Sequence, residues 1–329
     1  MAMKKFINDP ENLVDELLEG YALAFPQKVR LDEDRLVVRA KPKAAGKVAL
    51  VTLGGSGHEP ALSGFVGEGM LDISVAGGIF AAPSGRRVAP AIQKADLGAG
   101  VLFVVLNHAG DILNADMAME LLEDEDVQVS RVTTEEDIAG EIGDRRGLAG
   151  CLFVYKIAGA AAERGWSLAE VTRVAEKVNG GMRTLAVAAK AATHPSNGQA
   201  FSELPDDEME IGMGQHGEGG GGRMKLKTAD ETAEIMINAL IKDAGVKSGD
   251  RLLVMLNGVG ATTFMELFIV FRKVVSVCAA QGITVVRSAI DEFLTVQEMA
   301  GFQMCIAKMD DELLGLWDDP CDTPYMTVR

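Results

Sequence analysis

The sequence predicts an α/β protein of two α/β domains, each with a mainly parallel or mixed sheet, and with a substrate cleft at the loops on the C-terminal ends of the strands. Three observations carry this. Short continuous apolar runs, such as Val48 to Leu53 and Val101 to Leu106, alternate with stretches of helical periodicity; strands apolar at every residue suit a sheet covered on both faces. Glycines follow several of these runs at once, as chain reversals require. The pattern also starts afresh after a polar segment, Thr193 to Asp207, whose Pro, Ser, Asn, Gly and Asp mark a long loop near a domain boundary. The expected domains are 1–182 and 183–329.

Taken in order, Leu13 to Ala24 has the apolar spacing of a helix. Val48 to Leu53 reads as a strand and 60–69 as a short helix. Asp72 to Ala76 and Gly100 to Leu106 read as strands, Ile112 to Leu122 as a helix, and Val127 to Val132 as a fourth strand. Helices are expected at about 150–164 and 168–178, the second with Ser167 as N-cap and Gly180-Gly181 as its stop. The second half offers strands at Leu185 to Ala189, Met209 to Met213, Arg251 to Leu256, Thr284 to Ser288 and Gln303 to Ala307. Its helices are Asp230 to Ala244, Phe264 to Ala280 and Asp311 to Trp317.

Composition narrows the function classes. With 329 residues, 48% of them apolar, the chain can bury a sizeable core. A net charge of -16 argues against general nucleic-acid binding and against an anionic membrane surface. The four cysteines, Cys151, Cys278, Cys305 and Cys321, have neither zinc-site nor disulfide-framework spacing and read as buried thiols of a reducing compartment. No apolar run approaches the ~18 to 20 residues of a membrane span, and the start carries no secretory pattern. The expectation is a soluble cytoplasmic protein.

Three loops that follow strands hold the candidate chemistry, at the sheet edge where open α/β sheets bind ligands. They are Gly54-Gly55-Ser56-Gly57-His58-Glu59-Pro60, Asn107-His108-Ala109-Gly110-Asp111, and Gly212 to Arg223 with His216 and Glu218. Three of the four histidines of the chain lie in them. Taken singly, each has a plain structural reading: a surface histidine, a tight turn, or an Asp111 that caps the following helix. His194, before a proline in the boundary loop, is read as structural. No Walker-type phosphate loop, dinucleotide fingerprint or nucleophile elbow is present. Metal binding by His58, Asp111 and His216 is open on residue type, but the spacing does not demand it, and no metal is expected.

These loops, in this order, resemble the ketone-binding K subunit of dihydroxyacetone kinases, the Dak1 domain. The resemblance runs from Lys-Lys-Phe-Ile-Asn-Asp-Pro at the start, through Ala-Gly-Ala-Ala-Ala-Glu-Arg-Gly at 158–165 and Asn257-Gly-Val-Gly-Ala-Thr, to Leu316-Trp-Asp-Asp-Pro. It implies that His216 attacks a substrate ketone and holds it as a covalent hemiaminal, with glycines opening the approach. It implies that Asp111 and His58 are catalytic too, deprotonating the hydroxyl that receives phosphate and holding substrate oxygens. The backbone of Gly55, Ser56 and Gly57 would hydrogen-bond the substrate.

The resemblance also implies that this chain binds no cofactor of its own. Mg-ATP, or Mg-ADP recharged by a phosphotransferase-system phosphocarrier, would sit on a separate L-type subunit, and the chain would be a homodimer. The pattern is not kept throughout. Leu106 stands where the family has a substrate-contacting lysine, His108-Ala109 where it has Tyr-Thr, and Gly219 where it has proline. These changes lead to the expectation of a ketose other than plain dihydroxyacetone, such as erythrulose or apulose. The other reading is a non-catalytic, ketone-sensing transcriptional co-activator; retention of His58 and Asp111 beside His216 favours the kinase.

Overall fold

The structure, a computed structural model, describes residues 5–329. In chain order the elements are α1 (Leu13–Ala24), β1 (Val29–Asp32), β2 (Leu36–Arg39), β3 (Ala49–Ser56), β4 (Ile73–Ile79), α2 (Gly85–Ala95), β5 (Val101–Leu106), α3 (Ala109–Leu121) and β6 (Val129–Thr134). Then follow α4 (Cys151–Glu163), α5 (Leu168–Gly181), β7 (Met182–Lys190), β8 (Glu208–Ile211), β9 (Gly222–Lys225), α6 (Ala229–Asp243) and β10 (Arg251–Gly258). The chain ends with α7 (Phe264–Ala280), β11 (Thr284–Asp291), β12 (Ala300–Lys308), α8 (Asp311–Trp317) and a small hairpin of β13 (Cys321–Asp322) and β14 (Thr327–Val328). Among the described residues no helix is long and apolar enough to cross a membrane.

Two mixed α/β units result, and they interleave along the chain. One holds 5–134, Cys151–Asn179 and Glu312–Arg329; the other holds Glu135–Gly150 and Gly180–Asp311. The chain therefore passes between units near the expected boundary at 182, and also at 134/135, 150/151 and 311/312.

The first unit carries a sheet of order β1-β2-β4-β3-β5-β6. The pairs β4–β3, β3–β5 and β5–β6 are parallel; β1–β2 and β2–β4 are antiparallel. On one face Val51, Leu53, Val101, Phe103 and Val105 pack against Val88, Ala91 and Ile92 of α2 and Ala115 and Ala118 of α3. The other face meets α4, whose buried Tyr155 hydroxyl lies 3.0 Å from Thr52 Oγ1. Cover on both faces is why β5 is apolar without interruption and β3 is apolar from Ala49 to Leu53 except at Thr52, whose hydroxyl Tyr155 meets.

The second unit has a sheet of order β11-β10-β12-β7-β8-β9, in which only β10–β11 is parallel. Its core joins Leu252, Val254 and Leu256 of β10 to Met236, Ile237 and Leu240 of α6 and Leu267, Val270 and Val274 of α7. Each of these helices starts in a reciprocal capping box, Thr228 with Glu231 and Thr263 with Glu266, which satisfies two amides that a helix start otherwise leaves bare.

The segment 60–69 departs from expectation. It forms one 3-10 turn, Ser63–Phe65, because Gly67 and Gly69 adopt positive φ. The strands β1, β2 and β9 and the helix α2 are additions that the apolar pattern did not announce.

Candidate active site

The loop after β3 is built by close backbone approach. Gly57 has φ +103, and a Cβ there would lie 2.8 Å from the Phe80 ring, so only glycine fits. The Phe80 amide donates to the Ser56 carbonyl at 2.8 Å and Ser56 Oγ donates to the Gly77 carbonyl at 3.1 Å, tying this loop to the one after β4. The buried His58 ring packs on Phe80 with centroids 4.8 Å apart. The Gly57 amide donates to both carboxylate oxygens of Glu59, at 3.0 and 3.1 Å. Of the three backbone positions expected to meet substrate, Gly57 thus already has its donor engaged.

The loop after β5 is short. The Asn107 amide donates to the Thr134 carbonyl of β6, and His108 is the N-cap residue of α3. Asp111 therefore does not cap the helix; it stands inside the first turn, buried. Burial pushes its carboxyl up to about 7, from an ordinary 3.8. A helix N-terminus favours a carboxylate by only ~0.3 to 1 kcal/mol, too little to offset the loss of water around this buried group. Desolvation wins, and the carboxyl titrates where a general base works best. Asp111 belongs to the same unit as His58.

His216 belongs to the other unit and lies in the connection between the antiparallel strands β8 and β9, which pair from Glu208↔Lys225 to Ile211↔Gly222. It is thus on a hairpin tip. The Gly214 amide donates to the Glu218 carbonyl at 2.7 Å and the His216 amide to Glu218 Oε2 at 2.8 Å, which coils the tip about the histidine. Burial lowers the imidazole pKa below its ordinary 6.5; Arg146 acts in the same direction and Glu218 opposes it. That shift favours the neutral form of the ring. His194 packs its ring on Phe201 and accepts the Ser196 amide, consistent with a structural role.

Sequence reasoning places the Gly77-Gly78-Ile79-Phe80 loop beside the pocket but gives Phe80 no role, and it misses Arg146. Arg146 Nη1 lies 3.1 Å from Glu218 Oε1, and its Nη2 donates to the Gly212 carbonyl at 2.8 Å. Arg146, in Asp144-Arg145-Arg146, has no motif around it.

The Dak1 domain family matches residues 19–325. This chain belongs to the Dak1 family. The dihydroxyacetone-binding subunit of a phosphotransferase-system-dependent dihydroxyacetone kinase from Listeria innocua is 38% identical, over 99% of this chain and 99% of that one. An L-erythrulose kinase from Pectobacterium atrosepticum is also 38% identical over 98% of this chain, which spans only 56% of its length. Among solved structures, a dihydroxyacetone kinase operon co-activator superposes with a TM-score of 0.90 at 27% identity, covering 95% of this chain and 98% of its own. The Dak1 fold thus serves both kinase subunits and a co-activator.

Proposed function

We propose that this Dak1 chain is the ketose-binding subunit of a kinase and that it holds its substrate as a hemiaminal on His216. The observation that carries the reading is the near-complete, two-way coverage of a dihydroxyacetone-binding kinase subunit, joined to a histidine on a glycine-rich tip whose burial favours the neutral ring. One imidazole nitrogen adds its lone pair to the ketone carbon. The C=O π pair moves to oxygen, and the proton of the second ring nitrogen ends on that oxygen, leaving a neutral adduct. Asp111, ionised above about pH 7, takes the proton of the terminal hydroxyl as phosphate arrives, and His58 holds a substrate oxygen. Selectivity for ketoses over glycerol follows, since glycerol has no carbonyl to attack.

The phosphoryl donor comes on a separate L-type subunit, as Mg-ATP or as Mg-ADP recharged by a phosphocarrier; this chain alone turns over nothing. The named dependence of the Listeria innocua relative on the phosphotransferase system supports the second route. The chain also pairs as a homodimer, for which the exposed apolar residues Phe264, Met265, Phe268 and Ile269 of α7 offer a face. The substrate is dihydroxyacetone or a larger ketose such as erythrulose or apulose. Leu106, His108 and Ala109 support the larger one; the relatives named for dihydroxyacetone and for erythrulose are equally identical to this chain, at 38%.

A second reading, a ketone-sensing co-activator, is favoured by the co-activator structure alone. The buried Asp111 with its raised pKa favours the kinase, because a sensor has no hydroxyl to deprotonate. A thermal-shift panel of dihydroxyacetone, erythrulose, apulose and glycerol on wild type and His216→Ala tests the reading. A ketose at 100 times its dissociation constant stabilises by about 2.7 kcal/mol. The expected result is a shift with one ketose in wild type only; equal shifts with glycerol, or in the variant, would sink it.

A further inference from the structure

Arg146 sits at the centre of a hydrogen-bonded brace confined to one unit. Asp137, whose side chain is fully buried, accepts from Nε at 2.8 Å and from Nη2 at 2.6 Å. The same Nη2 donates to the Gly212 carbonyl at 2.8 Å, where the chain leaves β8 for the tip. Nη1 lies 3.1 Å from Glu218 Oε1, and the other oxygen of that carboxylate accepts the His216 amide at 2.8 Å. One planar guanidinium thus links a fixed anchor, the start of the tip, and the residue that grips the His216 backbone. The pair lies close against Gly214: a Cβ there would come 2.1 Å from Glu218 Cδ and 2.2 Å from Arg146 Nη1. A lysine offers no planar fork and cannot span three acceptors in this way.

We propose that Arg146 is a positioning residue for His216, acting through Glu218, and that the triad Asp137, Arg146 and Glu218 sets the geometry and electrostatics of the nucleophile. The role in ketose capture rests on the function proposed above. The brace itself does not. Arg146 and Glu218 act oppositely on the imidazole, the cation disfavouring its protonated form and the carboxylate favouring it.

The test is a histidine Cε1–H titration by NMR on the full chain, with the His216 signal assigned by its loss in His216→Ala, and hydrogen exchange of the His216 amide beside it. Arg146→Gln raises the His216 pKa and speeds amide exchange by about tenfold or more, since local opening sets that rate. Glu218→Gln lowers the pKa and also speeds exchange, because the one amide oxygen of glutamine cannot accept from both the His216 amide and Arg146. Arg146→Lys keeps a charge, so the pKa changes little while exchange still rises; it carries the test if Arg146→Gln does not fold. Shifts of the same sign in the Gln variants, or exchange unmoved in both Arg146 variants, would overturn the brace.

Ketose affinity is measured on the same samples. A fall of about 10- to 100-fold in Arg146→Gln, as small misplacement of a reacting group causes, supports the positioning role. Wild-type protein whose His216 signal ignores every ketose would refute the ketose reading and leave the brace standing on its exchange and pKa data.

Discussion

The His58 ring lies on the Phe80 ring, centroids 4.8 Å apart, with the two residues contributed by the loops after β3 and β4. Phe80 is therefore the platform that fixes one of the proposed substrate-binding side chains. Phe80→Ala removes the platform while keeping His58, and kcat/KM measured with the partner subunit is expected to fall by about 10-fold or more. An unchanged value would show that His58 is held by other contacts. Gly57→Ala tests the same junction from the backbone. It forces a Cβ into the Phe80 ring at φ +103, and thermal unfolding should report a loss of more than about 1 kcal/mol.

Asp111 makes stability depend on pH in a signed way. Its folded pKa, about 7, lies above the unfolded value near 3.8. The folded state therefore holds the proton more tightly. Its contribution is full below about pH 4, is lost as pH rises towards 7, and is constant above. Asp111→Asn removes the penalty: at pH 8 the variant is expected to melt higher than wild type by several degrees, with the gap closing at pH 4. The same variant should lose turnover. A wild-type kcat/KM that rises through about pH 7, measured with the partner subunit, would be the matching kinetic signature.

The buried cluster around Asp72 is structural. Its carboxylate pairs with Arg39 at 2.9 Å and Lys43 at 2.7 Å and accepts the Leu50 amide at 2.8 Å. Asp72→Ala takes the carboxylate from buried Lys43, while Arg39 keeps Glu163 at 2.8 Å, and is expected to cost about 3–5 kcal/mol in denaturant unfolding. A cost below 1 kcal/mol would mean that the cluster is open to water.

Much of the fold was legible because burial wrote it into the pattern. The strands β3 and β5 stand out since both faces are covered, and α8 reads from its apolar spacing at the bounds found, Asp311–Trp317. Elements that the pattern hid have local reasons. The helix α2 contains Pro90 and opens with Gly85-Arg86-Arg87, which gives its start no apolar periodicity. The strands β1 and β2 are four residues each about an acidic turn, and β9 is a charged sheet edge. For the candidate site, His58, Asp111 and His216 were found through glycine-flanked loops and a family resemblance. Arg146 was not, because Gly212 and Glu218 lie 66 and 72 positions along the chain and only the fold brings them together.

The central claim is a covalent bond between His216 and a ketose carbonyl. The most direct measurement is 13C NMR of dihydroxyacetone, or of erythrulose, labelled at the carbonyl carbon and bound to the purified chain. The account predicts that the bound carbon moves from the carbonyl region to that of a tetrahedral carbon in wild type, and that the new signal is absent in His216→Ala. A bound ketose that keeps its carbonyl signal in wild type, or a tetrahedral signal that survives in His216→Ala, would contradict it.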